Sequence, residues 1–325
     1  MFQLAVDRLE GLFSADHIYV VTVREQVDEL QRQFPSIPTQ NYLIEPLPRG
    51  TASVVGYAAL ALQHRDPNAI MAILTADHFI QDVPGFQQLL SGAYELAKTG
   101  KLVTLGIWPE YPATGYGYIE RGNALGNYQN KLAFEVVAFK EKPNEELAAE
   151  FVRRGDHYWN SGMFIWQVSQ IMMEFSRQMP DLFALLKEIN QSWGTDVRDE
   201  VIRRIWPGIH PQTIDYGIME GAEGVCVLQA EDLGWNDVGS WESLFDVILP
   251  DEQGNIILNA RHIGLGSSST LIYSESGKRL IATIGLKDMI IVDTGDVILV
   301  CPRQDSQRVR EMVNLLKQSG YSEYL

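Results

Sequence analysis

Short apolar runs alternate with segments of helical period along the first three quarters of the chain. The apolar runs predict strands at residues 17–23, 42–44, 70–77, 102–107, 133–140 and 225–228. The segments between them predict helices at residues 2–13, 25–34, 51–63, 86–98, 145–154, 169–178, 181–190 and 196–206. Strands that alternate with helices at this spacing indicate βαβ units, and therefore an α/β fold with a mostly parallel sheet.

The pattern changes near residue 250. Turn signals at residues 251–255, 276–278 and 294–296 then separate β-rich runs, which predicts a small β module of hairpins. A terminal helix is predicted from four apolar residues that share one of its faces: Val309, Met312, Val313 and Leu316. We therefore predict two domains, residues 1–250 and residues 251–325.

The predicted strand at residues 70–77 ends at an acid, Asp77, which is followed by His78. In open α/β sheets, ligands bind just beyond the carboxyl ends of buried strands, so Asp77 is placed to hold a metal ion or to contact a substrate. Pro84 and Gly85 follow soon afterwards, and they favour the alternative that Asp77 caps a helix or closes a turn. This stretch leaves both interpretations open.

The composition argues against some classes of function. The chain has 325 residues and a formal net charge of −16, which argues against a nucleic-acid surface because phosphate binding needs clustered Lys and Arg. A single nucleotide stays possible, since one metal ion and a few local cations suffice for it. Cys226 and Cys301 lie far apart without metal-binding spacing, which favours reduced thiols in a cytoplasmic protein. Because no stretch is long and apolar enough to span a bilayer, we expect no membrane partner.

Asp237 is the second acid that suits a metal ion. It lies in a loop at residues 234–241, where small residues would let a ligand approach the backbone. Mg²⁺ prefers one or two carboxylates together with phosphate oxygens and water, so Asp77 and Asp237 are candidates for a shared ion. The alternative is a loop aspartate whose carboxylate accepts hydrogen bonds from the backbone N–H of Gly239 or Ser240.

Other positions carry groups that suit a polar ligand. Glu141 follows a predicted strand and could accept hydrogen bonds from sugar hydroxyls, or it could be an exposed charge. Asn160 offers both a donor and an acceptor, or it serves a turn. Gly117 could let the backbone approach a ligand, or it could also serve a turn. Glu45 and Arg49 either pair across a turn or form part of a base pocket.

Taken together, the motifs of this chain resemble those of the mannose-1-phosphate guanylyltransferase (GDP-mannose pyrophosphorylase) family. The likeness covers nearly the whole chain, and the order of the motifs makes chance a poor explanation. The segments that carry it are Glu45-Pro46, Arg49-Gly50-Thr51-Ala52, Ala76-Asp77-His78, Thr114-Gly115-Tyr116-Gly117-Tyr118-Ile119, Phe139-Lys140-Glu141-Lys142-Pro143, Trp159-Asn160-Ser161-Gly162, Ile214-Asp215-Tyr216-Gly217-Ile218-Met219-Glu220 and Trp235-Asn236-Asp237-Val238-Gly239-Ser240-Trp241.

The resemblance implies a nucleotidyltransferase with a Rossmann-like sheet, helices on both of its faces, and a small C-terminal β module with a terminal helix. GTP and mannose 1-phosphate would give GDP-mannose and pyrophosphate. Asp77 and Asp237 would be the catalytic residues that hold Mg²⁺, and Glu141, Asn160 and Gly117 would contact the mannose. The guanine would lie by a loop that supplies four residues: Glu45, Arg49, Gly50 and Thr51. The apolar segments after residue 250 could pack on another subunit, so a homo-oligomer stays open.

The sequence also departs from the family pattern. Thr75 stands where proline is usual and Gly50 where asparagine is frequent, and both changes look tolerable. The N-terminal signature, a first strand and a glycine-rich loop with an arginine and a later Pro-Lys pair, does not precede Phe2. We therefore expect a truncated, impaired enzyme, because losing one electrostatic contact can cost about a hundredfold in rate. The alternatives are a non-catalytic subunit that binds a nucleotide sugar, and a related sugar-phosphate nucleotidyltransferase.

Overall fold

The computed structural model describes residues 1–324 and divides into two compact units. The first unit runs from Met1 to Trp235, and the second begins at Asn236. The strands of the first unit are β1 (Val20–Thr22), β2 (Tyr42–Ile44), β3 (Ile70–Ile73), β4 (Leu102–Ile107), β5 (Tyr118–Tyr128), β6 (Lys131–Lys140), β7 (His157–Gln167) and β8 (Val225–Ala230). Its helices are α1 (Phe2–Asp7), α2 (Val27–Gln33), α3 (Thr51–Arg65), α4 (Val83–Ala97), α5 (Glu145–Arg154), α6 (Val168–Gln178), α7 (Pro180–Ser192), α8 (Arg198–Ile205) and α9 (Ile214–Gly217).

The centre of the first unit is a mixed six-stranded sheet in the order β3-β7-β4-β8-β6-β5. Within residues 1–324, β4 and β8 are its one parallel pair, and its other pairs are antiparallel. The prediction of a mostly parallel sheet is therefore wrong, although the α/β fold class is confirmed. Periodicity reports which side chains are buried, but it does not report the direction in which a strand enters the sheet. For example, a tight turn at Gln129 and Asn130, both with positive φ, reverses the chain between β5 and β6.

Helices cover both faces of this sheet, as predicted. Helices α3, α6, α7 and α8 contribute to one apolar core, and α4 and α5 contribute to a second. Successive residues of β4 point to the two cores in turn, so that Leu102 packs in the first core and Val103 in the second. This alternation follows from the pleat of a strand, and it explains why the strand is buried at every position.

The strand before Asp77 differs from its prediction. Strand β3 ends at Ile73, and Asp77 lies in the loop that follows it. In the described part of the chain β3 pairs with β7 alone, so it is an edge strand, and three of its four residues are only partly buried. The expectation of a strand buried on both faces and continuous to Asp77 is therefore wrong. A short apolar run cannot distinguish an edge strand from a central one.

Several other bounds can be compared with the prediction. The predicted elements at residues 42–44, 102–107 and 145–154 have the same bounds in the structure. Helix α1 stops at Asp7, well before the predicted end at residue 13. Asn160 does not serve a turn, because it lies inside β7.

The second unit is built from short strands and the terminal helix. Its strands are β9 (Ile256–Leu258), β10 (Arg261–Leu265), β11 (Leu271–Ser274), β12 (Leu280–Ile284), β13 (Met289–Asp293) and β14 (Ile298–Pro302), and its helices are α10 (Leu244–Val247) and α11 (Val309–Gln318). Strand β11 pairs in parallel with both β9 and β13, and β10 pairs in parallel with β12. The predicted hairpins are therefore wrong for these strands, whereas β13 and β14 are antiparallel. The turn residues redirect the chain so that apolar residues stack in register, as Ile256, Leu271 and Ile290 do.

The structure also bears on membrane segments and thiols. No helix within residues 1–324 is long and apolar enough to cross a membrane. Cys226 and Cys301 are both free thiols. Burial raises the pKa of the Cys226 thiol to about 11, so this thiol is protonated and unreactive at neutral pH.

Candidate functional site

Three of the residues predicted to contact a sugar come together through the register of the sheet. Strand β5 pairs with both β6 and β7 at its first residue, where Tyr118 faces Lys140 on one side and Trp159 on the other. Both pairings are antiparallel, so the residue before Tyr118 adjoins the residues that follow Lys140 and Trp159. These three residues are Gly117, Glu141 and Asn160.

The distances show how closely these residues approach. The backbone N–H of Asn160 donates to the carbonyl oxygen of Gly117 over 2.8 Å. A Cβ added to Gly117 would lie 2.6 Å from Oε1 of Glu141 and 3.4 Å from Cβ of Asn160. Any larger residue at position 117 would therefore displace the Glu141 carboxylate or the backbone.

Asp215 completes this group, although the motif that contains it predicts no role for its side chain. It lies in α9, whose first turn is capped by the Thr213 hydroxyl. Nδ2 of Asn160 donates to Oδ1 of Asp215 over 2.7 Å, and Oδ1 of Asn160 accepts from the backbone N–H of Gly162 over 3.1 Å. The match of residues 214–220 to the family pattern was the signal that could have drawn attention to Asp215. We call Gly117, Glu141, Asn160 and Asp215 the polar cluster.

The polar cluster is rich in acceptors and poor in cations. Burial raises the pKa of the Glu141 carboxyl, and the neighbouring Asp215 carboxylate raises it further, whereas Lys142 opposes the shift. Burial also raises the pKa of Asp215, and the hydrogen bond from Asn160 opposes that shift. Two partly desolvated carboxyl groups therefore share one small region. Such a group suits neutral hydrogen-bond donors, such as hydroxyls, better than it suits a phosphate.

The segment from Glu45 to Thr51 is joined to the chain just before Asp215. The guanidinium of Arg49 donates to the carbonyl oxygen of Pro207 over 2.6 Å. The backbone N–H of Gln212 donates to the carbonyl oxygen of Arg49 over 3.2 Å. The backbone N–H of Ile214 donates to the Thr51 hydroxyl over 2.9 Å. Among the predicted site residues, these contacts place Arg49 and Thr51 beside the segment that leads to Asp215, and a Cβ on Gly50 would lie 2.4 Å from the carbonyl oxygen of Gln212 in the same segment.

Three residues of this segment have environments that the sequence did not predict: Glu45, Arg49 and Gly50. Glu45 is 8% exposed, and burial raises the pKa of its carboxyl, while the backbone N–H of Arg49 opposes the shift. Because the Arg49 guanidinium bonds to Pro207, the proposed pairing of the Glu45 and Arg49 side chains across a turn is not formed. Gly50 has a φ of +81° and is the N-cap residue of α3, which begins at Thr51.

Asp77 lies in an exposed loop at the edge of the sheet. Its side chain is 79% exposed, and its Oδ1 lies 4.0 Å from Nε2 of His78. The helix cap signalled by the following proline and glycine is Asp82, whose Oδ1 accepts from the backbone N–H of Gly85 over 3.0 Å. The capping alternative therefore belongs to Asp82 rather than to Asp77.

The loop that carries Asp77 is fixed by two residues from elsewhere in the first unit. Nε1 of Trp235 donates to Nδ1 of His78 over 3.1 Å. Arg8, which is 4% exposed, donates to the carbonyl oxygens of Thr75 and His78 over 2.7 and 2.9 Å. Burial lowers the pKa of Arg8 to about 10, and the nearby Asp77 carboxylate opposes that shift, so the guanidinium is still charged at neutral pH. No sequence motif had singled out Arg8.

Asp237 belongs to the second unit. Its Oδ1 accepts from the backbone N–H of Gly239 over 3.2 Å, so the hydrogen bond of the alternative interpretation is present. Among the described residues, no group of three or more His, Cys, Asp or Glu side chains could hold a metal ion. The pair of Asp77 and Asp237 as ligands of Mg²⁺ therefore stays a prediction.

Two known families match successive parts of the chain. Residues 1–254 match the family described as nucleotidyl transferase. Residues 260–316 match the mannose-phosphate isomerase/GMP-like β-helix domain, which agrees with the parallel pairing of β11 to β13. The predicted domain boundary near residue 250 stays a prediction. The fold and the family match define a nucleotidyltransferase.

Proteins that are similar over the whole length of this chain show which kind of nucleotidyltransferase it resembles. Mannose-1-phosphate guanylyltransferase ManC of Salmonella typhimurium is 35% identical over 331 residues, which cover 100% of this chain and 68% of that protein. Mannose-1-phosphate guanylyltransferase of Escherichia coli K12 is 34% identical, with the same shares covered. A crystal structure described as mannose-1-phosphate geranyltransferase from Thermus thermophilus has a TM-score of 0.82 and 29% identity, covering 96% of this chain and 88% of its own. The chain belongs to the mannose-1-phosphate guanylyltransferase family, which confirms the resemblance inferred from the motifs.

Proposed function

We propose that the chain transfers a GMP group from GTP to mannose 1-phosphate, which gives GDP-mannose and pyrophosphate. An oxygen of the sugar phosphate forms a bond to the α-phosphorus of GTP, and the bond from that phosphorus to the pyrophosphate oxygen breaks. Membership of the family supports the nucleotidyl transfer. The polar cluster supports a sugar as the acceptor.

The main support for a sugar acceptor is the strand register that brings Glu141 and Asn160 beside Gly117. Glu141 and Asn160 adjoin a residue that has no side chain, so the Glu141 carboxylate and Cβ of Asn160 border space that a Cβ at position 117 would fill. A carboxylate and an amide at that place can accept from and donate to neighbouring hydroxyls, which a sugar ring presents. Asp215 fixes the Asn160 amide through their hydrogen bond.

This chemistry needs no side-chain base. A sugar phosphate is already ionised at neutral pH, so its oxygen can attack without losing a proton. The rate then depends on in-line positioning and on neutralising the charge of the α-phosphate and the departing pyrophosphate. Glu141 and Asn160 would orient the sugar, and the charged Arg8 guanidinium stands near Asp77.

Asp77 and Asp237 are proposed as the carboxylates that hold Mg²⁺. Their chemistry fits this ion, because Mg²⁺ takes one or two protein carboxylates and completes its shell with phosphate oxygens and water. The exposure of the Asp77 side chain supports this role, since the carboxylate is open to a ligand. When bound, the ion neutralises charge on the phosphates. We expect EDTA to abolish transfer and added Mg²⁺ to restore it.

The choice of guanine is proposed from the family alone. The hydrogen bonds of Arg49 and Thr51 support a structural role for this segment, since they join it to the residues before Asp215. A base bound by this segment would therefore be coupled to the polar cluster through residues 212–214. Substitution of Thr51 should then change the KM for the sugar phosphate as well as the KM for the nucleotide.

The test is an assay of the purified chain with GTP, mannose 1-phosphate and Mg²⁺, in which pyrophosphate and GDP-mannose are both measured. A panel of other nucleoside triphosphates and of glucose, galactose and N-acetylglucosamine 1-phosphates runs beside it. We expect the highest kcat/KM with GTP and mannose 1-phosphate. A clear preference for another base or sugar would contradict the proposal and favour a related nucleotidyltransferase.

The same assay separates the enzyme from a binding subunit. If no pair of substrates turned over while GDP-mannose still bound in a titration, the catalytic proposal would fail and the non-catalytic subunit would replace it. The homo-oligomer, the cytoplasmic location and the lack of nucleic-acid binding stay predictions, and light scattering tests the first.

A further inference from the structure

Arg8 makes two charged hydrogen bonds on either side of a proposed catalytic residue. Its guanidinium donates to the carbonyl oxygens of Thr75 and His78, which bracket Asp77 in the chain. The guanidinium also lies 5.2 Å from the ring centre of Phe86, at the start of α4. The carbonyl oxygen of Arg8 itself accepts from the side chain of Gln87 over 2.9 Å. Arg8 is thus held by one helix while it holds the loop.

This arrangement is an unfavourable way to build a core. A buried guanidinium loses its hydration, and an apolar side chain of similar volume would pack against Phe86 without that cost. What an arginine adds is a rigid, planar set of donors that fixes the positions of two carbonyl oxygens at once. Because both carbonyls belong to the loop of Asp77, the bonds fix the backbone on either side of that residue.

We propose that Arg8 is a positioning residue, whose guanidinium holds the loop of Asp77 in the conformation that directs the Asp77 carboxylate towards the metal and the nucleotide phosphates. The inference rests on the proposed function, because it takes Asp77 to be a metal ligand. It adds a residue that lies outside every motif of the family resemblance.

The test compares Arg8→Met and Arg8→Lys with a matched control, Arg121→Met. Arg121 also donates to a backbone carbonyl, that of Gly155, and its guanidinium lies 4.4 Å from the ring centre of Phe134, but it does not contact the loop of Asp77. Each variant is measured in the full chain for Tm, for the Mg²⁺ concentration that gives half-maximal turnover, and for Mn²⁺ binding by electron paramagnetic resonance with GDP-mannose present.

Loss of a group that orients a metal ligand typically weakens metal binding about 10- to 100-fold, and we expect Arg8→Met to weaken Mn²⁺ binding and to raise the Mg²⁺ requirement by that factor. Arg8→Lys should fall between Arg8→Met and the wild type, because one ammonium can reach one carbonyl. The KM for mannose 1-phosphate should stay near its wild-type value, because Arg8 contacts no residue of the polar cluster in the described chain.

A merely structural role gives a different result. If Arg8→Met lowered Tm but kept the Mn²⁺ affinity and the Mg²⁺ requirement of Arg121→Met, the inference would be overturned. Failure of the proposed function would appear instead as a wild-type chain without turnover, and Mn²⁺ binding would then still decide the role of Arg8. A wild-type chain that bound no Mn²⁺ with GDP-mannose would overturn the inference as well.

Discussion

Nδ2 of Asn160 donates to Oδ1 of Asp215 over 2.7 Å, and this bond sets the orientation of an amide at the centre of the polar cluster. The other end of the same amide accepts from the backbone N–H of Gly162. Both ends of the Asn160 side chain are therefore anchored by the protein. A sugar hydroxyl would meet an amide that is already oriented, which lowers the entropic cost of binding.

Asp215→Ala should weaken sugar binding by releasing that amide. A hydrogen bond to a charged group contributes about 1.5–3 kcal/mol, so we expect the KM for mannose 1-phosphate to rise about tenfold or more. The KM for GTP should change much less. Steady-state kinetics with each substrate varied in turn measure both effects. Asp196→Ala, at an exposed position, is the control, and an equal rise of KM in that variant would contradict the prediction.

Gly117→Ala should disable the polar cluster and leave the fold intact. The new Cβ would lie 2.6 Å from Oε1 of Glu141, so the carboxylate must move away from its present position. We expect kcat/KM for mannose 1-phosphate to fall about tenfold or more, since a displaced charged group loses its hydrogen bonds. Gly115→Ala is the matched control, because a Cβ there meets nothing within 4 Å. Similar losses in both variants would show that Gly117 serves only the loop.

Glu141→Gln should raise stability while it lowers activity. Because burial and Asp215 raise the pKa of this carboxyl in the folded chain, folding disfavours its charged form. The contribution of Glu141 to stability is full at a pH below the pKa that its carboxyl has in the unfolded chain. It is lost as the pH rises through the higher pKa of the folded chain.

The neutral glutamine variant should therefore have the higher Tm at pH 7 to 8, and the difference should vanish below about pH 4. Thermal denaturation across this range checks the sign, with Glu223→Gln at an exposed position as the control. A lower Tm for Glu141→Gln than for the wild type at pH 8 would contradict the raised pKa of Glu141. In the same variant we expect kcat/KM to fall about tenfold or more, because an acceptor loses its charge.

Gly50→Ala should destabilise the first unit more than an ordinary glycine substitution does. Gly50 has a φ of +81°, and a Cβ there would lie 2.4 Å from the carbonyl oxygen of Gln212. Gly155 also has a positive φ, +68°, but a Cβ there meets nothing within 4 Å. We expect Gly155→Ala to lower the free energy of unfolding by about 1 kcal/mol, because alanine is strained at a positive φ. Gly50→Ala should lower it clearly more, because a backbone clash is added to the same strain. Urea denaturation of both variants measures the difference, and equal costs would refute the clash.

The sequence determined the local elements and the family of this protein. Apolar periodicity located helices and strands, because an element that buries one face carries apolar residues at the spacing of that face. Several predicted bounds are the same in the structure. Ordered motifs identified the family because each fixes residue types at fixed spacing, independently of how the strands are arranged.

The tertiary structure decided the directions and the register of the strands. Periodicity does not depend on strand direction, so it could not show that the central sheet is mixed or that the β module is largely parallel. Register alone brings Gly117, Glu141 and Asn160 together across three strands. Asp215 and Arg8 act through one or two hydrogen bonds to distant residues, and contacts of that kind leave no periodic trace in a sequence.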